Sequence, residues 1–415
     1  MLIYAIALLF TTIFHNHAAD IAQQTNPMNS DWFNDENNPY KEANDLLRKK
    51  DWHNAEATYE LALMRQKGSP YDQAMANINK ASCRMTRGKS STGWAAFDTI
   101  IGIPQEKRIH KWRQQPDTVL VHSSYIGFGD IVHFLAGLKV LKEKGYKPTL
   151  ATRDFFMPCI QSALDSYGIP QVKEGTAVPT HYETHLVSLL GHLEIMPSKL
   201  YPEQCIYTAD DQALAKCSQL VVDSNPLLFV FPAEKKQARL MGGALLPHSA
   251  DAHGRELDSE PFNALLKDHP HIRLVDCSPK GSSLVIDSTV QERVMPLPKE
   301  ATAFDTTIAA AIIMNRTRNT FAIAADSGPA NIFSRALDPK VQRNMAFIIP
   351  NGKEYDMRME RGDYDSTTRY YAIGDSYTQL ISHCRVYRCK KPKYQSDMIK
   401  IAFNEMTKES SEHNA

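Results

Sequence analysis

Two short stretches of this chain have residue types and spacings suited to chemistry. One is Gly127-Phe128-Gly129-Asp130, with His133 one helical turn further on; the other is Asp326-Ser327-Gly328-Pro329-Ala330-Asn331. Each follows a β-type apolar run, Val119–Val121 or Thr320–Ala325, and each opens an apolar pattern at helical spacing. In such a strand–turn–helix, glycine lets the backbone turn sharply and come close to a ligand. The first N–H groups of the helix have no intrahelical partner, and the dipole end is positive, so phosphate suits the place. Ser327 can cap the second helix, and Gly328 keeps the approach open. An ordinary βα turn would look the same, so neither stretch decides anything alone. Two of them at the carboxyl edges of strands in separate halves would face each other across a cleft, where ligands bind. A dinucleotide-dependent oxidoreductase is disfavoured, because the last glycine of a G-x-G-x-x-G fingerprint is replaced by Val132.

The elements that must position these turns follow from hydrophobic periodicity. Strands are expected at Val119–Val121, Lys147–Thr152 and Gln171-Val172, with helices at Ile131–Lys144 and Phe155–Tyr167. The pattern resets around Cys217–Pro226, and Pro226–Pro232 opens a second series. That series continues with a helix through Phe262–Leu266, strands Ile272–Asp276, Thr320–Ala325 and Met345–Ile349, and helices Thr306–Met314 and Asn331–Ala336. Alternation of this kind implies right-handed crossovers and helix-covered parallel sheets. We read two Rossmann-like domains, residues 117–222 and 226–390, followed by a carboxyl-terminal helix and tail over 391–415. That helix, Gln395–Met406, has Met398, Ile401 and Ala402 on one face.

Ahead of them, residues 40–104 read as all-helical. Ala55, Tyr59 and Ala62 share a face with Trp52 one turn earlier; Ala74, Ile78 and Ala81 form a second such face, and Trp94, Phe97 and Ile100 a third. Small residues let antiparallel helices approach, and the aromatics fill the space between pairs. The spacing Ala55-x3-Tyr59-x2-Ala62 resembles the second helix of a tetratricopeptide repeat. The resemblance implies either a surface for a protein partner or a buttress for the following domain. One and a half to two repeats are too few to stand alone, so packing on that domain is expected. Residues 20–39 are a polar linker. Leu2–Phe14 is apolar enough for the core of a signal peptide over 1–19 and too short for a comfortable membrane span. No Lys or Arg precedes it, so export, a membrane-surface anchor and a cytoplasmic protein all stay open.

Composition bounds the partners. Of 415 residues 43% are hydrophobic, enough for a large core in two or more domains, and Lys+Arg and Asp+Glu are each 47. A net charge of zero argues against broad capture of nucleic acid. The 7 Cys are scattered, with no metal-ligand spacing, so no metal is expected; Cys384 and Cys389 are near enough to pair in an oxidising compartment.

At Gly129-Asp130-Ile131-Val132-His133 the chain resembles the opening motif of heptosyltransferase-related glycosyltransferases. Phe304-Asp305-Thr306, Asp326-Ser327-Gly328-Pro329-Ala330 and Ala336-Leu337 resemble that group's carboxyl-terminal donor motif. His185–Leu190 with Tyr201-Pro202, Arg255-Glu256-Leu257 and Arg361–Tyr371 are similar to bacterial proteins that join tetratricopeptide repeats to such a domain. The resemblance implies an α/β fold of the GT-B type, two Rossmann-like domains preceded by a short α-helical TPR-like segment. It implies a transferase that needs no cofactor and takes a nucleotide-diphospho-sugar as co-substrate, with a protein or glycan acceptor. Asp130 becomes the candidate general base and Arg255 the group that neutralises the departing phosphate. Asp326, Ser327, Gly328, Ala330 and Asn331 become donor-binding, and Gly127, Gly129 and His133 acceptor-side. His133 would steady Asp130, line the acceptor site or simply be a satisfied core histidine. Two departures point instead to a non-catalytic binding protein of the same shape. Asn331 stands where the motif usually carries His, and Pro232–Lys236 replaces a small Gly/Asn turn, leaving Lys235 and Lys236 as substitute phosphate ligands or plain exposed lysines.

Overall fold

A computed structural model describes residues 35–49, 51–86, 92–109, 117–124, 128–194, 207–221, 225–232, 257–278, 284–298, 303–325, 327–349, 370–371, 384–388 and 395–412. It opens with three helices, α1 (Lys41–Arg48), α2 (Trp52–Met64) and α3 (Pro70–Thr86). Asp51 caps α2 by accepting from Asn54 N, and Ala55, Tyr59 and Ala62 turn inward as their spacing predicts. Tyr59 Oη ties all three together: it donates to Asn44 Oδ1 at 2.5 Å and accepts from Asn79 Nδ2 at 3.2 Å. Among the described residues no second long helix follows α3 to form the expected pair. A 3-10 turn, Thr92–Ala96, runs into the one-turn helix α4 (Phe97–Ile100), and Trp94, Phe97 and Ile100 are buried along this irregular path.

The first parallel sheet follows. Its chain order is β1 (Thr118–His122), α5 (Phe128–Glu143), β2 (Lys147–Thr152), α6 (Met157–Tyr167), β3 (Gln171–Lys173), β4 (Tyr182–His185), α7 (Ser188–His192) and α8 (Asp211–Ser218). The strands lie in the order β3-β2-β1-β4. Gly168, left-handed at φ 59°, ends α6 where a residue with a Cβ would be strained.

The second sheet is larger. It is built from β5 (Leu227–Phe231), α9 (Glu260–Asp268), β6 (Arg273–Asp276), β7 (Val294–Pro296), α10 (Ala303–Arg316), β8 (Thr320–Ala325), α11 (Gly328–Ala336), α12 (Pro339–Gln342), β9 (Met345–Ile349), β10 (Tyr370–Tyr371) and β11 (Arg385–Arg388). The order is β10-β11-β9-β8-β5-β6-β7, parallel except for the β10–β11 edge pair. Every residue of β5 and β8 is buried, which is why both read as unbroken apolar runs: helices cover both faces of a parallel sheet.

The two faces of this sheet feed different cores. Leu227, Phe229, Phe231, Ala322, Ala324 and Phe347 belong to one cluster that is continuous with the first sheet and the amino-terminal helices. Leu228, Val230, Phe321, Ile323, Ala346 and Ile348 belong to the other, closed by α9 and by the last helix, α13 (Gln395–Glu412). That helix buries Met398, Ile399, Ala402, Phe403 and Met406, whereas Ile401, expected on its apolar face, is 40% exposed. Cys384 is a free, buried thiol rather than half of a disulfide; Cys389 lies outside the described residues. No helix among the described residues is long and apolar enough to cross a membrane.

Candidate functional site

The first turn is fixed from behind by buried polar groups. Ser123 Oγ lies 3.0 Å from Ala151 O and 2.9 Å from Thr152 Oγ1, which ties the end of β1 to β2. His185, at the end of β4, sits 2.7 Å from Ser124 O through Nε2, and its Nδ1 accepts from Val187 N at 3.2 Å. Burial pushes the imidazole down to about 4, so near neutral pH it is uncharged. Nδ1 as acceptor leaves the proton on Nε2, which therefore donates to the carbonyl just before the glycine turn.

His185 is in turn seated by the helical lead-in. The Phe97 ring packs on it at 4.6 Å between centroids, and Asp98 accepts from its backbone N–H at 2.8 Å. The same carboxylate accepts from Thr184 Oγ1 at 3.2 and 3.0 Å and pairs with His192 Nε2 at 2.8 Å. Asp98 is fully buried, so each of these partners offsets part of the cost of burying its charge. A chain of contacts thus runs from α4 through His185 to the mouth of the β1–α5 turn. The lead-in packs on the first sheet through it. Sequence reading named His185 only as the start of HLVSLL and did not single out Asp98, because partners 86 to 94 residues apart leave no local pattern.

The helix after this turn starts at Phe128, not Ile131. Gly129 and Asp130 therefore belong to its first turn rather than to the loop, an ordinary place for an acidic residue beside the positive dipole end. The side chains of Asp130 and His133, the whole of Gly127, Asp326 and Arg255, and Lys235 and Lys236 lie outside the described residues.

The second turn has the expected build with fewer open donors. Ser327 is the N-cap of α11 (φ −140°, ψ 158°), and its Oγ accepts from Ala330 N at 3.4 Å. Asn331 N donates to Ser327 O at 2.9 Å. Pro329 has no N–H, so among the described residues the backbone donor left open at this helix start is Gly328 N–H, with the Ser327 hydroxyl proton beside it. Ser327 and Gly328 are half-buried, while Ala330 and Asn331 are buried. Phe333 pins the helix to the sheet, its ring 4.7 Å from Phe231 and 5.6 Å from Phe229. The helices opened by the two turns, α5 and α11, pack against each other.

A third carboxyl-edge feature escaped sequence reading. Asp276 closes β6, next to β5, and is only 6% exposed. Its Oδ1 accepts from Ser278 N at 3.0 Å and from Ser278 Oγ, while Oδ2 is buried with no hydrogen-bond partner among the described residues. Among the described residues no group of three His, Cys, Asp or Glu side chains could hold a metal ion.

No protein-family model and no curated protein matches the sequence. Among solved structures the chain is similar to the iron-containing dodecameric glycosyltransferase TibC from enterotoxigenic E. coli H10407, at 11% identity and TM-score 0.42 over 73% of this chain and 78% of that one. It is also similar to a glycosyl transferase family 9 protein from Veillonella parvula DSM 2008, at 9% identity and TM-score 0.41 over 70% of this chain and 98% of that one. Carbon monoxide dehydrogenase IV from Carboxydothermus hydrogenoformans follows at 10% identity and TM-score 0.25 over 83% of this chain and 68% of that one.

Proposed function

We propose that this protein is a glycosyltransferase of the GT-B type, moving a sugar from a nucleotide-diphospho-sugar to a protein or glycan acceptor without a metal. The observation that carries the reading is the pairing of its two motif-bearing turns. Each opens a helix after a strand of its own parallel sheet, and the two helices pack on one another. In this reading the diphosphate lies at the start of α11, taking hydrogen bonds from Gly328 N–H and the Ser327 hydroxyl. Asp130 removes the proton from the acceptor hydroxyl as the anomeric carbon parts from the nucleotide diphosphate. Arg255 offsets the charge that develops on the leaving group. The helical lead-in, through Asp98 and His185, acts as the buttress of the acceptor-side turn. A second reading, a non-catalytic binding protein whose lead-in holds a protein partner, is favoured by the burial of Asn331, which carries no ionisable group into the donor motif.

Thermal melting of the full chain with ADP, UDP, GDP and their sugar conjugates separates the two. We expect one diphosphate series to stabilise the protein, by about 2.7 kcal/mol at a hundredfold excess over its dissociation constant. Ser327→Trp should abolish that gain, while the unliganded variant, having lost the cap of α11, should be less stable by about 1–2 kcal/mol and still fold. A well-folded sample that responds to none of them would overturn the transferase in favour of the binding protein.

A further inference from the structure

We propose that Phe155 is a stacking platform for a pyranose ring of a glycan acceptor, an inference that rests on the transferase reading above and narrows its acceptor. The helix expected from Phe155 begins at Met157, so Phe155 stands in the turn between β2 and α6. Pro158, which has no N–H to leave unpaired, suits the first turn of that helix. Phe155 is 60% exposed, the one aromatic among the large apolar side chains that stand exposed in the described residues. A single exposed apolar side chain needs no explanation by itself. What sets Phe155 apart is its mounting and its place.

The mounting is stiff. Phe156, the next residue, is buried, with its ring 4.0 Å from that of Phe155 and tilted 50° to it. Its N–H donates to Arg153 O at 2.9 Å, closing the turn. The residues before it are tied to the end of β3. Glu174 N donates to Thr152 O at 2.7 Å, Lys173 pairs with Asp154 at 2.5 Å, and Arg153 pairs with Glu174 at 3.7 Å. A ring held this way has little freedom left to lose when a ligand settles on it. The place is the carboxyl edge of the first sheet, where β2 lies beside β1 and where ligands of open α/β sheets bind. Thr152, joined to Ser123 through their hydroxyls, is at most about 11 Å of chain from Phe155. Asp130, the proposed base, is in the first turn of α5, the helix that the neighbouring β1 leads into.

The chemistry of the turn favours a sugar over a protein surface. Arg153, Asp154, Lys173 and Glu174 bring charge to the ring's own turn and its anchor, whereas the core of a protein interface is depleted of charge. A pyranose has a face of C–H bonds to lie on an aromatic ring, and hydroxyls at its rim to exchange hydrogen bonds with charged groups.

The test uses the full chain and saturation-transfer NMR with the methyl pyranosides of glucose, galactose, mannose and N-acetylglucosamine. The wild type should pass saturation to at least one of them, most strongly to the C–H protons of one ring face. Phe155→Ala and Phe155→Leu should bind that sugar about five- to tenfold more weakly, and Phe155→Trp should hold it at least as well. Leucine keeps an apolar side chain and loses the flat face, so it separates stacking from simple burial. Because the side chain is exposed, all three variants should melt with the wild type and keep its thermal gain with nucleoside diphosphate. Failure of every pyranoside on the wild type overturns the platform, as does undiminished binding by Phe155→Leu. If a diphosphate stabilises the protein and no pyranoside binds, the donor site stands and this inference falls. The reverse, a sugar held through Phe155 with no diphosphate bound, keeps the platform and ends the transferase reading.

Discussion

His185 shows how much one buried side chain can be asked to do. It is wholly buried, neutral and bonded at both nitrogens, and its burial moves its titration from 6.5 to about 4. Because the folded value lies below the unfolded one, the unfolded chain takes up the proton first. Stability is therefore full above about pH 6.5 and falls as the pH drops towards 4. Urea unfolding at about pH 7 and about pH 4.5 should show the wild type losing about 2–3 kcal/mol more than His185→Gln, whose amide can still donate to Ser124 O. A parallel loss in both proteins would mean that another group sets the acid limit. At this scale the sequence revealed the cap and not the scaffold. Ser327 was legible because a cap and the N–H that donates to it are three residues apart. The partners of Asp98 were not, because they are created by the fold.

Among the elements, the apolar strands were the most legible: Lys147–Thr152, Thr320–Ala325 and Met345–Ile349 lie where their composition puts them. β11 went unseen because Arg385 and Arg388 break its apolar run. Arg385 is nonetheless buried, donating to Arg343 O at 2.8 Å and pairing with Glu405 at 3.6 Å. The irregular path after α3 was also illegible, since Trp94, Phe97 and Ile100 fit helical spacing while the chain takes a 3-10 turn. The reason is crowding. A Cβ on Gly93 would lie 2.5 Å from Asn77 O, and one on Gly191 would lie 2.1 Å from Ala95 N and 2.7 Å from Thr92 O. The Thr92–Ala96 backbone is thus pressed between α3 and α7, with no space for a Cβ at Gly93 or at Gly191. Gly191→Ala should cost about 3 kcal/mol or more in denaturant unfolding, because the obstacles are backbone atoms that cannot rotate away. A loss within about 0.5 kcal/mol would show that this junction is loose.

For the molecule as a whole, the two faces of the second sheet divide the work. One face merges with the first sheet and the lead-in, and the other is closed by α9 and α13. Phe403, 2% exposed, is the pin of that closure, edge-on to Phe321 at 5.9 Å and tilted against His269 at 5.2 Å. Phe403→Ala should destabilise the protein by about 3–5 kcal/mol. Hydrogen exchange should then quicken in β8 and β9 while β1 and β2 stay protected, and uniform quickening would show instead that the two cores unfold as one.

The Asp98 network has a consequence for how the chain is made. Helices α1 to α4 are made before the sheet they pack on, and the His192 that completes their buried carboxylate follows 94 residues behind Asp98. At ordinary rates of synthesis that is a wait of about 5–20 s. During it, the side chain of Asp98 lacks Thr184 and His192, and the 3-10 turn lies against α3 without α7 on its other side. The lead-in is therefore made before the sheet it packs on and is completed only together with it.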